Sequence, residues 1–377
     1  MSVEIKAIEH TRKGLKPFVK FGIDLYKGNG CFVPPLVLDE IETLSPSGNP
    51  AFEFCRAQAF MVYRDGKPVG RIAAIINEVV NNRTGCDECR FGFVDFIDDA
   101  EVSAALFAAA EGWARENGMT EMVGPLGFSD MDHEGMLVEG FDEMGTMATI
   151  YNYPYYPDHM EKMGYAKDAD WIEFRVEVPE AVPAKISRVA DMVARRYNLH
   201  VKHFTSRKKI KEEYGVKLFE LINDAYDHLY GYSPLSPRQI EYYIDKYLGI
   251  LRLDCVSVIL DSNDRLVAVG ISIPSMSKAL RKSGGRLLPL GWFHLLKGIK
   301  GHNDVVDLML IAVDKEYMGK GVNSLIFADL VPTYIKLGFK FAESNIELET
   351  NDNVQLQWQY FNYRQHRRRR AYRKSLV

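Results

Sequence analysis

The stretch Leu308-Met309-Leu310-Ile311-Ala312-Val313-Asp314-Lys315-Glu316-Tyr317-Met318-Gly319-Lys320-Gly321-Val322-Asn323-Ser324-Leu325-Ile326 runs from a continuous apolar segment, through a short glycine-containing turn, into helical spacing. A continuous apolar run of this kind reads as a buried strand. Glycines let the backbone take positive φ angles and approach a ligand closely. The helix that follows opens with N–H groups lacking intrahelical acceptors, and its dipole adds positive charge at the same end. Strand, glycine turn and helix start therefore form an anion cradle suited to a pyrophosphate, to which Lys320 adds a cation. The competing reading is that Gly319 and Gly321 merely make a tight turn. The pattern G-x-x-x-x-G-K-[ST] does not occur, so this is not a nucleotide P-loop.

Working outward, Val305 to Val313 reads as the strand, and Val322 to Leu337 as a helix ending at Gly338. Phe339 to Leu348 reads as a strand, Asn353 to Tyr363 as a helix and Arg367 to Arg373 as a last strand. Upstream lie a strand at Val201 to Phe204 and helices at Lys211 to Leu229 and Pro237 to Leu248, the latter capped by Ser236. Strands Val256 to Leu260 and Leu266 to Ile273 flank the turn Asp261 to Asp264. The first half shows the same order. A strand at Val3 to Glu9 and a helix at Thr11 to Tyr26 precede strands Ala59 to Tyr63 and Val69 to Val79, which flank the hairpin signal Asp65-Gly66. A strand at Arg90 to Ile97 and a helix capped by Asp99 and stopped at Gly118 follow, then strands Val123 to Phe128 and Trp171 to Val178. The proline-containing stretch Val178 to Pro183 separates two domains, 1–179 and 180–377, that share element order and not letters.

The length of 377 residues favours two cores over one. A content of 47% apolar and 26% charged residues is globular. No apolar run reaches membrane-spanning length and the start lacks a signal peptide's regions, so a soluble cytoplasmic protein is expected. Five scattered cysteines suit a reducing compartment. Cys86-Asp87-Glu88-Cys89 lacks the second ligand pair a zinc site needs, and a hairpin connection is expected there, with no metal. Charge is uneven: through Glu180 there are 31 Asp+Glu against 16 Lys+Arg, and the remainder holds 20 against 31. A basic half suggests an anionic partner for that half.

The segment AVDKEYMGKGVNSLI resembles motif A of the GNAT acyltransferase superfamily, in which a strand leads into a [RQ]-x-x-G-x-[GA] loop and a helix. Met318 stands where the family usually has Arg or Gln, and Asn323 where it has Gly or Ala. The resemblance implies an α/β fold of two tandem GNAT-like domains, each a mixed, mostly antiparallel twisted sheet flanked by helices. It implies acyl-CoA or acetyl-CoA as co-substrate, held by Val313, Met318, Gly319, Lys320, Gly321, Val322, Asn323 and Ser324, with Asn353 nearby. Asn353 and Tyr360 match the family's late N-x6-Y spacing, which implies that Tyr360 protonates the leaving thiolate; a phenol is close enough to a thiol in acidity to do so. An aromatic cluster with Trp358, Phe361 and Tyr363 is the competing role for Tyr360. The strand Glu343 to Glu349 is central and splayed in that fold. Its polar residues Asn345, Glu347 and Glu349, with Asp307, are then candidates to orient or deprotonate an amine, against a merely solvated strand face.

The first half ends in HMEKMGYAKDADWIEFRV, similar to the family's Y-E-K-x-G-F and last strands, but it lacks a glycine loop and has Met160 in place of the tyrosine. It reads as a degenerate GNAT-like domain without the coenzyme A loop. Its glycine- and tyrosine-rich stretch offers Ser129, Asp132, His133 and Tyr156 as acceptor-site residues, or else forms an ordered packed loop. The insert Leu287 to Lys300, with Trp292, combines bulky apolar residues and cationic ends as interfacial helices do, or else is a helix capping the core between the domains. The two-domain pattern resembles bacterial GNAT-like proteins of the ceramide synthase type, some of which are proposed to N-acylate sphingoid bases. N-acyl transfer to a lipidic amine is therefore expected, with peripheral contact at the inner membrane. Acetylation of a small or peptidic amine and non-catalytic acyl-CoA binding are the alternatives. The tail Arg367 to Lys374 reads as a solvated strand edge without a nucleic-acid motif, and the oligomeric state is left open.

Overall fold

A computed structural model describes residues 3–248 and 251–377. Its strands are β1 Glu4–Ile8, β2 Cys55–Arg64, β3 Lys67–Asn77, β4 Glu88–Phe96, β5 Glu121–Gly124, β6 Met136–Glu139, β7 Ala166–Glu177, β8 His200–Lys202, β9 Val256–Leu260, β10 Leu266–Pro274, β11 Val305–Val313, β12 Phe341–Glu343, β13 Glu347–Leu348 and β14 Tyr363–Ser375. Two compact units draw on non-contiguous chain. The first takes the residues up to Trp171, Ser277–His294 and Arg367–Val377; the second takes Ile172–Met276 and Leu295–His366.

The mixed α/β architecture is the expected one. In the first unit the strand order is β1-β2-β3-β4-β5-β14, and in the second it is β8-β9-β10-β11-β12-β7. The pairs β1–β2, β2–β3, β3–β4, β5–β14, β8–β9, β9–β10, β10–β11 and β7–β12 are antiparallel, whereas β4–β5 and β11–β12 are parallel. Each parallel pair is joined by a helix, Ala100–Glu116 or Asn323–Leu337, as parallel neighbours require. The last strand of each order comes from the other half of the sequence.

Local chemistry explains much of this. Asp65 and Gly66 both take positive φ, 51° and 74°, which a tight two-residue hairpin needs between β2 and β3. Asp99 caps its helix by accepting from Glu101 and Val102 N–H. Before the helix Pro237–Leu248, Ser236 Oγ accepts from Gln239 N–H while Gln239 Oε1 accepts from Ser236 N–H, a reciprocal capping box. The core of the second unit joins Ile186, Ala190 and Val193 of the helix Ala184–Tyr197 to Leu325, Ile326 and Leu330 of the helix Asn323–Leu337. The helix Ala184–Tyr197 was not anticipated, although Ile186, Ala190 and Val193 follow the i, i+4, i+7 stripe that signals one.

Three expectations are corrected. The strand expected at Phe339 to Leu348 is two short ones, because the Ser344 hydroxyl accepts from Phe174 N–H and breaks the run. The helix expected at Asn353 to Tyr363 is one α-turn, Asp352–Gln355, followed by a 3₁₀ turn, Leu356–Tyr360, which turns Trp358 into the core. The cysteine pair does lie where β3 connects to its antiparallel neighbour β4, as expected, although the connection carries the capped helix Glu78–Thr84 and Cys89 already belongs to β4. The arginine tail is not a solvated edge. Arg367 and Arg369 are buried and donate to Met144 O and Ile150 O, while Arg368 and Arg370 bind the buried Asp170 carboxylate at 3.1 and 2.8 Å. A buried loop must satisfy its carbonyls, and alternate arginines of β14 do so.

Candidate active site

The parallel ladder between β11 and β12 covers Val305–Asp307 and Phe341–Glu343 and then stops. Beyond it β11 continues for six residues, Leu308 to Val313, while Asn345 interrupts the opposite strand. Asn345 Nδ2 donates to Met309 O at 3.0 Å, and its Oδ1 accepts from Ile346 N–H at 2.9 Å. The side chain thus bridges the point where the strands part. Leu308 to Ile311 are half-buried, unlike the fully buried Val306 and Asp307 before them. A splayed pair of neighbouring strands leaves a cleft with main-chain groups along one wall.

The glycine turn sits at the end of that wall. Gly319 and Gly321 have φ of 72° and 80°, a region L side chains rarely adopt. A Cβ on Gly321 would lie 3.2 Å from Val189 Cγ1, so the turn also packs closely on the helix Ala184–Tyr197. Asp314 accepts from Glu316 N–H at 2.8 Å, and Arg265 grips Asp314 and Glu316 at 3.3 and 2.8 Å. The base of the loop is therefore held before any ligand arrives. Lys320 is exposed, with Nζ 5.3 and 5.4 Å from the rings of Tyr197 and Tyr317. No side chain caps the helix at Val322. Ser324 N–H is turned inward onto Gly321 O at 3.0 Å. Met318 is exposed and Val322 buried, while Asn323 Nδ2 reaches Gln357 Oε1 at 3.5 Å. A glycine turn of positive φ, a fixed base and an uncapped helix start fit a pyrophosphate.

On the segment that follows Asn345, Trp358 Nε1 donates to both Glu347 oxygens, at 3.0 and 3.2 Å. Burial pushes the Glu347 carboxyl up to about 8 against that bond. Tyr360 lies two residues on, half-buried, with Gln359 Nε2 donating to its hydroxyl at 3.0 Å and Lys185 Nζ 4.5 Å from its ring centroid. Glu349 is half-buried, and its carbonyl accepts from Gln355 Nε2 at 3.0 Å. Asn353 is exposed on the turn Asp352–Gln355. Asp307 is buried and faces Glu343 across the ladder; Glu343 in turn meets Arg175 at 3.4 Å and His366 at 3.0 Å. The sequence reading missed Trp358 as a partner of Glu347, and missed Glu343 and Arg175. An arginine and an acid on neighbouring strands of a core were the available signal for the latter pair.

The remaining candidates lie in the first unit. Ser129 is fully buried, and His133 Nε2 lies 3.0 Å from Met147 O. Tyr156 is fully buried, its hydroxyl 3.0 Å from that of Tyr26 and accepting from Phe96 N–H at 2.9 Å. Trp292 is 49% exposed and donates to Pro289 O at 3.1 Å.

In fold the chain matches a known tandem protein along its whole length. The tandem GNAT protein from the clavulanic acid biosynthesis pathway, solved without AcCoA, superposes with a TM-score of 0.57 at 13% identity, covering 100% of this chain and 99% of that one. A GCN5-related N-acetyltransferase from Sphaerobacter thermophilus gives 0.53 at 9% identity over 99% and 96%. The chain has the tandem GNAT fold.

In sequence it is similar to Protein YghO of Escherichia coli, 28% identical over 372 residues that cover 97% of this chain and 94% of that protein. It is also 28% identical over 305 residues to the Bacterial ceramide synthase of Caulobacter vibrioides, covering 76% and 75%. No family model matches the chain.

Proposed function

We propose that the chain is an acyl-CoA-dependent N-acyltransferase whose working site lies in the second unit, between β11, the 319–321 turn and the Glu347–Tyr360 segment. The observation that carries this reading is the coincidence, at one splayed strand pair, of an uncapped glycine cradle and a desolvated carboxyl. The cradle holds the pyrophosphate of coenzyme A, with Gly319, Lys320, Gly321 and the helix start as donors. The thioester then lies along β11. Glu347 takes a proton from the amine as its nitrogen attacks the thioester carbonyl. The C–S bond breaks, and the leaving thiolate takes a proton from Tyr360. A carboxyl lifted to about 8 is well matched to an amine at neutral pH, because a base works best with a pKa near the operating pH. No metal enters this chemistry.

The acceptor is a lipidic amine of the sphingoid-base kind. The relative named as a ceramide synthase supports this, as does the apolar surface at Leu288 to Leu296. The same reading gives the protein a peripheral place at the inner membrane. No helix among the described residues is long and apolar enough to cross one. The sequence domain 1–179 serves as a degenerate partner, and 180–377 carries the acyl-CoA motif.

The test is thiol release from acetyl-, octanoyl- and palmitoyl-CoA, each offered with sphingoid, polyamine, amino-acid and peptide amines. Release with palmitoyl-CoA and the sphingoid amine is expected. Release only with acetyl-CoA and a small amine would replace the lipid reading, and no release with any pair would sink the enzyme reading.

A further inference from the structure

Five large apolar side chains stand exposed within nine residues: Leu288 at 77%, Leu290 at 65%, Trp292 at 49%, Phe293 at 54% and Leu296 at 43%. Three of them belong to the helix Gly291–Lys300, at positions i, i+1 and i+4 of one face. The opposite positions His294, Leu295, Gly298 and Ile299 are the half-buried ones. A surface helix normally turns its apolar stripe inward and its polar stripe to water. This helix is apolar on both faces, and its outward face carries the aromatic residues. Such a contiguous patch marks an interaction surface rather than scattered exposure.

The charge around the patch limits its partner. Residues 277–300 contain Lys278, Arg281, Lys282, Arg286, Lys297 and Lys300 and no Asp or Glu, and all six cations are exposed. A second copy of this chain docking face to face would set six cations against six, since a two-fold interface pairs a patch with itself. An anionic bilayer surface meets both demands, because it attracts the cations and admits the apolar side chains below its headgroups.

We propose that Leu288–Leu296 is a membrane-docking element that seats in the headgroup region of an anionic bilayer, with Lys297 and Lys300 at the phosphate level. The proposal rests on the lipidic-acceptor reading only for its purpose; the surface itself rests on exposure and charge.

The test is co-sedimentation of the full chain, without acyl-CoA or amine, with vesicles of phosphatidylglycerol and phosphatidylcholine in about equal parts, and with vesicles of phosphatidylcholine alone. Binding to the first and at least about tenfold weaker binding to the second are expected. The double variant Trp292→Ser/Phe293→Ser and the separate variant Lys297→Glu/Lys300→Glu should each weaken binding about tenfold or more with unchanged thermal unfolding, since all four residues are exposed. Equal binding to both vesicles, no binding to either, or variants that bind like the parent would overturn it. A lipid-free parent that dimerises, while the apolar double variant does not, would assign the patch to a second copy instead. Vesicle binding without thiol release would leave docking standing and remove the enzyme reading; the reverse result would separate them the other way.

Discussion

Glu347 experiences two opposed forces: burial favours its neutral form, and the Trp358 indole N–H favours its anion. Burial prevails and lifts the carboxyl to about 8. A carboxyl raised on folding stabilises the fold fully below its unfolded value of 4.5, and that contribution fades as pH rises through about 8. The parent should therefore lose stability between those two values relative to Glu347→Gln, read as diverging urea midpoints across the range. If Glu347 is the base, acyl transfer should rise with pH up to about 8, and Glu347→Gln should lose both that limb and about a hundredfold or more in kcat. An unchanged pH limb in the variant would reassign the base to another group. Trp358→Phe removes the N–H but keeps a ring against Phe174 and Phe327, 6.2 and 5.8 Å away. Its pH limb should move upward, because the donor that favoured the anion is gone. A merely structural tryptophan would lower activity without moving that limb.

At the scale of elements, the two crossover helices begin differently. The helix Ala100–Glu116 receives Asp99 at its first N–H groups, and the Arg64 guanidinium with those groups holds the Asp99 carboxyl down at about 2. The anion position of that helix is filled by the chain itself. The helix Asn323–Leu337 has no such side chain and is preceded by the glycine turn. Replacing Gly321 with alanine should destabilise the second unit by about 1–2 kcal/mol, because a left-handed φ and Val189 both oppose a Cβ. The same change should abolish the thermal shift given by acyl-CoA; a retained shift would mean that the cradle lies elsewhere. Asp99→Ala should cost the first unit about 1 kcal/mol, read from its unfolding midpoint. These helix starts were legible in the sequence, since caps and glycine turns act over a few residues. The break at Ser344 and the 3₁₀ turn through Trp358 were not, because their causes, Phe174 and Glu347, are respectively 170 and 11 residues away. Helical spacing cannot report a partner on another strand.

At the scale of the molecule, the charge asymmetry read along the chain disappears when it is counted by unit. The first unit holds 25 Lys+Arg against 28 Asp+Glu and the second 22 against 23, or −3 and −1. The difference lies in two segments that the first unit takes from late sequence, 277–294 and the arginine-rich β14. The inference of an anionic partner for a basic half therefore fails as a statement about whole halves, and the case for an anionic co-substrate rests on the local cradle. The arginines of β14 have partners in their own unit. Asp170 accepts from Arg370 at 2.8 and 3.0 Å and from Arg368 at 3.1 Å, while Lys167 lies 2.9 Å away. Arg373 meets Asp168 at 3.0 Å and Glu88 at 3.3 Å, and Lys374 meets Glu111 at 2.7 Å. Burial alone would raise the Asp170 carboxyl, but the hydrogen bonds from Arg370 and Lys167 hold it below its ordinary value. Its contribution is thus present above the ordinary carboxylate range and is lost as pH falls through and below it. Asp170→Ala leaves three cations facing a site without its anion and should cost about 3–5 kcal/mol, measured from urea midpoints near neutral pH. The gap between parent and variant should narrow on acidification, as the parent's carboxylate takes up a proton. A variant as stable as the parent would show that β14 is held by its apolar residues Ala371 and Tyr372, with Leu376 just beyond it, and not by its charges.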